Sequence, residues 1–123
     1  MELNDITYAI IGASYKVHTA LGPGLLESVY ETCLLHELRE EGLRAKSQVA
    51  VPVVYNGQTM PIAYRMDMLV DEKVVVEIKS VESLRPLHQA QVLTYLRTAQ
   101  LPVGLLINFN TTNLKEGIKR FRR

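Results

Sequence analysis

The stretch Tyr64-Arg65-Met66-Asp67-Met68-Leu69-Val70-Asp71-Glu72-Lys73-Val74-Val75-Val76-Glu77-Ile78-Lys79-Ser80 decides the fold. It reads as the end of one β-strand, a tight turn at Asp71-Glu72, and a second, strongly apolar strand broken by charge near its end. Side chains alternate across a strand, so Glu77 and Lys79 share one face while Val76 and Ile78 take the other. Charge inside so apolar a strand is costly unless it is paired or bound to a metal. With a two-residue turn, Val70 opposes Lys73 and Asp67 opposes Val76, leaving Asp67 diagonal to Glu77. A bulge or a longer loop shifts that register by one. On spacing alone two readings stand level. One is an ordinary cross-strand pair of Asp67 with Lys79. The other is a convergence of two carboxylates and an ammonium, as metal-assisted phosphodiester cleavage requires.

Working outward, the strand before the turn extends back to about Gln58. Asn56-Gly57 before it is a strong hairpin signal, because a type I′ turn needs positive φ at both positions. Arg44 to Tyr55, with Val49, Val51, Val53 and Val54, is the partner strand. Upstream lie two helices. Ile6, Ile10, Ala13, Val17 and Leu21 make a helical stripe over residues 4–21 behind an Asn4 or Asp5 cap, and Leu25 to Glu41 follows after Gly22-Pro23-Gly24. Downstream, a helix from Pro86 to about Gln100 precedes Val103–Phe109, apolar enough for a buried central strand. Thr111, Thr112 or Asn113 is expected to cap a short final helix carrying Leu114, Ile118 and Phe121. The order is ααβββαβα, a single α/β domain over residues 1–123 built on a mixed sheet flanked by helices.

Bulk properties narrow the class. The composition is 47% hydrophobic and 22% charged, that of an ordinary soluble globular protein. No apolar run approaches the ~20 residues that span a bilayer. Met1-Glu2-Leu3-Asn4-Asp5 lacks the basic start of a secretory signal. A single cysteine, Cys33, excludes an internal disulfide and a cysteine-based zinc cluster. A cytoplasmic location is therefore expected, with no membrane association. The net charge is +1, but it is unevenly spread. Residues 115–123 hold Lys115, Lys119, Arg120, Arg122 and Arg123 against Glu116. Such a tail can contact nucleic-acid phosphates, although a solvated helix end complementing the helix dipole is the commoner role.

Other elements add polar groups. Glu27 falls three residues before Tyr30 and seven before Leu34, against the apolar side of its helix; a snorkelling surface glutamate is the competing reading. On the later helix His88, Gln91 and Tyr95 fall at i, i+3 and i+7, a polar stripe set opposite Val92 and Leu96 and free of lysine and glutamate. His18 and His36 are isolated and read as structural. Cys33 reads as core, with nothing beside it to lower its pKa. Gly22-Pro23-Gly24 lacks phosphate-loop spacing.

Taken together, these residues resemble the PD-(D/E)xK nuclease superfamily, and within it the small GxxExxY protein family. The naming motif stands as Gly24-Leu25-Leu26-Glu27-Ser28-Val29-Tyr30, and the catalytic signature as Asp67 with Glu77-Ile78-Lys79. The helix Leu87–Leu96 and the strand Val103–Phe109 are also similar to this family, so the likeness runs from about Ile10 to Phe109. Arg65-Met66 stands where a proline would complete the literal motif. The resemblance implies a restriction-endonuclease-like αβββαβ core preceded by one extra helix. It implies a site where the second and third strands fork. There Asp67 and Glu77, with Glu27 approaching, would hold Mg²⁺ or Mn²⁺, since hard oxygen donors favour these ions. Lys79 would orient the attacking water or stabilise phosphoryl charge, and Gln91 would hold water or substrate. Tyr30, His88 and Tyr95 would support these groups from behind.

The function expected is thus Mg²⁺-dependent hydrolysis of nucleic acid, DNA first. One small domain offers little surface for sequence readout, which a homodimer or a larger partner protein would supply. A non-catalytic module of the same fold, binding nucleic acid or a protein partner, is the alternative; its basic tail would bind phosphates without a metal. Hydrolysis of a small phosphodiester is a third possibility.

Overall fold

The computed structural model describes residues 1–123. Two helices, α1 (Leu3–Leu21) and α2 (Glu27–Glu40), precede the strands β1 (Ala45–Tyr55), β2 (Gln58–Val70) and β3 (Val74–Lys79). Helix α3 (Pro86–Thr98) leads to β4 (Val103–Asn108), and a 3-10 turn at Leu114–Gly117 leads to β5 (Ile118–Arg122). The five strands form one sheet in the order β1-β2-β3-β4-β5. Only β3 and β4 run parallel, with α3 as the connection between them. No helix is long and apolar enough to cross a membrane.

The sheet is covered on both faces, which explains why β3 and β4 are apolar along most of their length. On one face Ile6, Ile10 and Val17 of α1 and Leu34 and Leu38 of α2 pack on Val74, Val76, Ile78, Leu105 and Ile107. On the other, Val92, Tyr95 and Leu96 of α3 pack on Val75 and Leu106. The approach of α3 is close at Gly104, where a Cβ would lie 2.7 Å from Val92 Cγ1.

The predicted Asn56-Gly57 turn is present, with φ of 51° and 74°. The turn after β2 is longer than two residues. Val70 pairs with Val74, Leu69 with Val75 and Met68 with Val76, so Asp71, Glu72 and Lys73 all lie in the loop. Continuing that register sets Asp67 directly opposite Glu77, not diagonal to it.

The chain end departs from expectation. No fourth helix forms. Asn113 does cap, its Oδ1 accepting the Lys115 N–H at 3.2 Å, but only one 3-10 turn follows before β5 begins. Ile118 and Phe121, three apart, suggest one helical face. In a strand the same spacing puts them on opposite faces, and here Ile118 joins the α1/α2 core while Phe121 joins the α3 core. Smaller differences occur at helix starts. Helix α1 begins at Leu3 behind Glu2, with no side-chain cap from Asn4 or Asp5, and α2 begins at Glu27 rather than Leu25.

Candidate active site

The site lies where β2 and β3 part. Backbone pairing stops at Met68 and Val76, and the carboxylates beyond take over the bridging. The Asp67 N–H donates to Glu77 Oε2 at 2.7 Å, and the Ile78 N–H donates to Asp67 Oδ2 at 2.8 Å. Each acid is thus fixed by the opposite strand through one oxygen. Asp67 makes no ion pair with Lys79, so the simple cross-strand salt bridge is absent.

A slip in the pleat aims Asp67. Along β2, Met68 and Val70 face the α1/α2 core and Leu69 faces the α3 core, yet Met66 also joins the α3 core. The alternation therefore shifts by one residue at Asp67. The register with β1 is kept, Ser47 pairing Met68 and Val49 pairing Met66, so Gln48 shifts in step. Its φ of 53° records the accommodation, in the left-handed region that non-glycine residues seldom enter. Gln48, Asp67 and Glu77 consequently form one row across three strands.

Electrostatics follow from this placement. Glu77 is 2% exposed; burial first, then the Asp67 charge, push its carboxyl up to about 8. The Asp67 N–H and the Lys79 ammonium offset this only in part. Lys79 is half-buried and shares the Glu77 face. Tyr95 is 3% exposed, and its hydroxyl is pushed up to about 12 by burial and then by the charges of Glu77 and Asp67. It stays protonated and donates to the Arg65 carbonyl at 3.2 Å.

The structure redistributes the expected roles. Glu27, the first residue of α2, is solvent-exposed rather than set against the apolar side. No three Asp, Glu, His or Cys side chains gather as a metal cage. One turn further on, Glu31 feels both Asp67 and Glu27, and its carboxyl is raised by burial first. The Gln48 amide donates to both Glu31 oxygens at 3.1 Å. A belt then runs around the acids: Arg65 Nη1 donates to the Gln48 carbonyl at 3.1 Å, and Tyr95 closes on the Arg65 carbonyl. Glu31 and Gln48 escaped the sequence reading. The four-residue spacing of Glu27 and Glu31 was the available signal, since it stacks two like charges on one helix face.

Tyr30 is fully buried and stacks on Phe109 at 4.6 Å. Its hydroxyl donates to the Gly22 carbonyl at 2.6 Å and accepts the Leu25 N–H at 3.1 Å. With Gly24 at φ 94°, this builds the loop that launches α2, so Tyr30 shapes that entry from the core. Ser80 fastens the same loop to the end of β3, donating to the Leu25 carbonyl at 2.6 Å. Tyr95 does not lie opposite Val92 and Leu96; all three are buried in the α3 core. His88 Nδ1 accepts the Arg85 N–H at 3.0 Å and so closes the start of α3. His88, Gln91 and Tyr95 do meet Lys79, however, in an open cleft of ≈ 490 Å³.

The basic tail is split. Arg120 reaches α1, donating to Asn4 Oδ1 at 3.0 Å and Thr7 Oγ1 at 3.4 Å. Lys119 alternates to the Phe121 side of β5. Lys115 and Arg123 flank the strand, and β3 and β4 separate it from Asp67.

The chain that presents Asp67 from β2 and Glu77 from β3, with Lys79 two residues after Glu77, matches a known family over nearly all its length. The model of the PD-(D/E)XK nuclease superfamily matches residues 4–121. The chain belongs to that superfamily. No curated protein and no solved structure matches it. In this member of the PD-(D/E)XK superfamily, Asp67 lies on β2, Glu77 on β3 and Lys79 at the end of β3.

Proposed function

We propose that the chain is a divalent-metal-dependent nuclease hydrolysing phosphodiester bonds in nucleic acid, with DNA as the leading substrate. The observation that carries this is the facing of Asp67 and Glu77 across the strand fork, each with one oxygen tied to the opposite backbone.

The donor set suits a hard cation. Mg²⁺ commonly takes one or two carboxylates and completes its octahedron with water and substrate phosphate, so a two-acid site needs no full protein cage. Asp67 and Glu77 would hold the ion, Mg²⁺ or Mn²⁺. When bound, it supplies charge neutralisation at the phosphoryl oxygens and a more acidic water. A buried acid near pKa 8 beside a second acid is a position where a cation is strongly favoured. Glu31, clamped by Gln48, would hold a water hydrogen-bonded near the acids, with exposed Glu27 behind it. Lys79 would stabilise charge growing on the phosphoryl oxygens. In hydrolysis the water oxygen bonds to phosphorus and one P–O ester bond breaks, leaving a phosphate monoester and a free hydroxyl. Gln91 would hold the substrate strand beside the broken bond.

Membership of the GxxExxY group is part of this reading, supported by Gly24 and Tyr30 shaping the loop from which α2 starts at Glu27. A cytoplasmic setting suits the free Cys33. A second copy or a larger partner would widen the surface available for target selection.

The test is calorimetric titration of Mg²⁺ and Mn²⁺ into wild type and Asp67→Ala/Glu77→Ala, with and without a non-hydrolysable phosphodiester, alongside cleavage assays. We expect binding lost in the double variant, and hydrolysis abolished by Asp67→Ala, Glu77→Ala and Lys79→Ala separately with folding retained. Unchanged cleavage in any one of them removes that residue from the mechanism.

A further inference from the structure

Resting on the nuclease reading, we propose that the cleft beside Lys79 seats one unpaired nucleobase, so that the chain acts on a single strand rather than on a closed duplex. The cleft, ≈ 490 Å³, opens between β2 and the first turns of α3. It adjoins the acid site through Lys79, which lines it two residues beyond Glu77 on the same strand face. A nucleotide whose phosphate sits on a cation held by Asp67 and Glu77, beside Lys79, would have this space within reach of its base.

The lining has the chemistry of a base seat. Tyr64 on β2 is 39% exposed and its ring is braced edge-on by Tyr95, with centroids 5.9 Å apart. Leu87, on the first turn of α3, is 79% exposed and lines the same cleft. An aromatic ring and an aliphatic side chain offer the apolar surfaces that a base can lie on. Gln91 and Thr94 bring hydrogen-bonding groups that can reach a base edge. His88 Nδ1 is occupied as an acceptor by the Arg85 N–H, so its Nε2 carries the proton and serves as a donor. Exposed leucine at a helix start has no structural task of its own, and a bound base would cover it.

The charge distribution points to the same substrate. Duplex binding draws on many phosphate contacts. Around this fork stand Glu27, Glu31, Asp67 and Glu77 with Lys79 and Arg65, whose guanidinium is turned to the Gln48 carbonyl, while Arg120 of the basic tail is turned to α1. Single-strand binding can lean on stacking instead, and a base in a duplex would first have to be unstacked.

The experiment measures affinity by fluorescence anisotropy in Ca²⁺ and cleavage in Mg²⁺ or Mn²⁺. Three probes share one sequence: a single-stranded oligonucleotide, its blunt duplex, and the single strand with one abasic nucleotide. Wild type is expected to bind the intact single strand at least about 10-fold more tightly than the duplex. Tyr64→Ala and Leu87→Ala should each weaken single-strand binding, the first by roughly 10-fold, and Tyr64→Phe should restore it. The abasic strand should be bound about equally by wild type and Tyr64→Ala. Equal affinity for duplex and single strand, or single-strand binding indifferent to both Tyr64→Ala and Leu87→Ala, overturns the base seat. Cleavage of both substrates with that indifference leaves the nuclease reading standing alone. Tyr64-dependent binding with no cleavage under any metal preserves the seat and removes the nuclease reading. Binding of none of the three probes overturns the seat outright.

Discussion

Glu77 is 2% exposed and faces Asp67, and burial leads the causes that lift its carboxyl to about 8. In the unfolded chain the same group titrates near its ordinary value of 4.5. Between those values the folded protein holds a proton that the unfolded chain has lost, so stability falls as pH rises through that window and levels off above it. Thermal unfolding in a chelator should therefore show a lower Tm at pH 8.5 than at pH 5.5. Glu77→Gln, which imitates the protonated acid, should flatten that dependence and stabilise the protein at pH 8.5 by on the order of 2 kcal/mol or more. At pH 5.5 it should be close to neutral. Adding Mg²⁺ at pH 8.5 should raise the Tm of wild type and not of the variant, because only the ionised acid gains from the cation. A Tm profile identical in wild type and Glu77→Gln would mean that Glu77 is not the buried acid described.

At the scale of elements, the strands and helices were largely readable, and the misreadings have local causes. The β3 run Val74–Val76 is apolar because both faces are covered, and the Asn56-Gly57 hairpin needs nothing beyond its own backbone. What periodicity could not carry was the joint pleat slip at Gln48 and Asp67, since two strands that slip together keep their register and leave no mark in the pattern. That slip sets Gln48 under Glu31, so the Glu31–Gln48 clamp was hidden for the same reason, although Asp67, Glu77 and Lys79 were visible as misplaced charge. The clamp joins α2 to β1 at the row of acids. Gln48→Ala should free Glu31 and lower metal affinity or kcat by roughly 10-fold, with an unchanged circular dichroism spectrum. Unaltered cation titration and kinetics would reduce the clamp to a surface contact. The junction of α3 with β4 makes a separate prediction. Gly104→Ala drives a methyl to 2.7 Å from Val92 Cγ1, which should cost about 1–3 kcal/mol, read as a lower urea midpoint.

Across the whole molecule, β5 is where a helical reading of Ile118 and Phe121 most changes the argument. As a helix the basic tail would be a detachable arm, whose removal tests nucleic-acid binding alone. As a strand it closes the β4 edge, sends Ile118 and Phe121 into opposite cores, and ties Arg120 to Asn4 on α1. Deleting residues 118–123 should therefore destabilise the fold by at least roughly 2–3 kcal/mol and expose an unpaired edge prone to association. That loss would appear in urea unfolding and light scattering, and any fall in activity would follow from it. Charge must instead be tested without cutting the strand. Lys119→Glu/Arg122→Glu changes two exposed side chains on an edge and should leave the urea midpoint within about 0.5 kcal/mol of wild type. If the edge guides a strand toward the fork, this variant will bind an oligonucleotide more weakly and show a shallower dependence on salt. If binding and its salt slope are unmoved, β5 serves the fold alone, and the attraction for nucleic acid arises at the fork and its cleft.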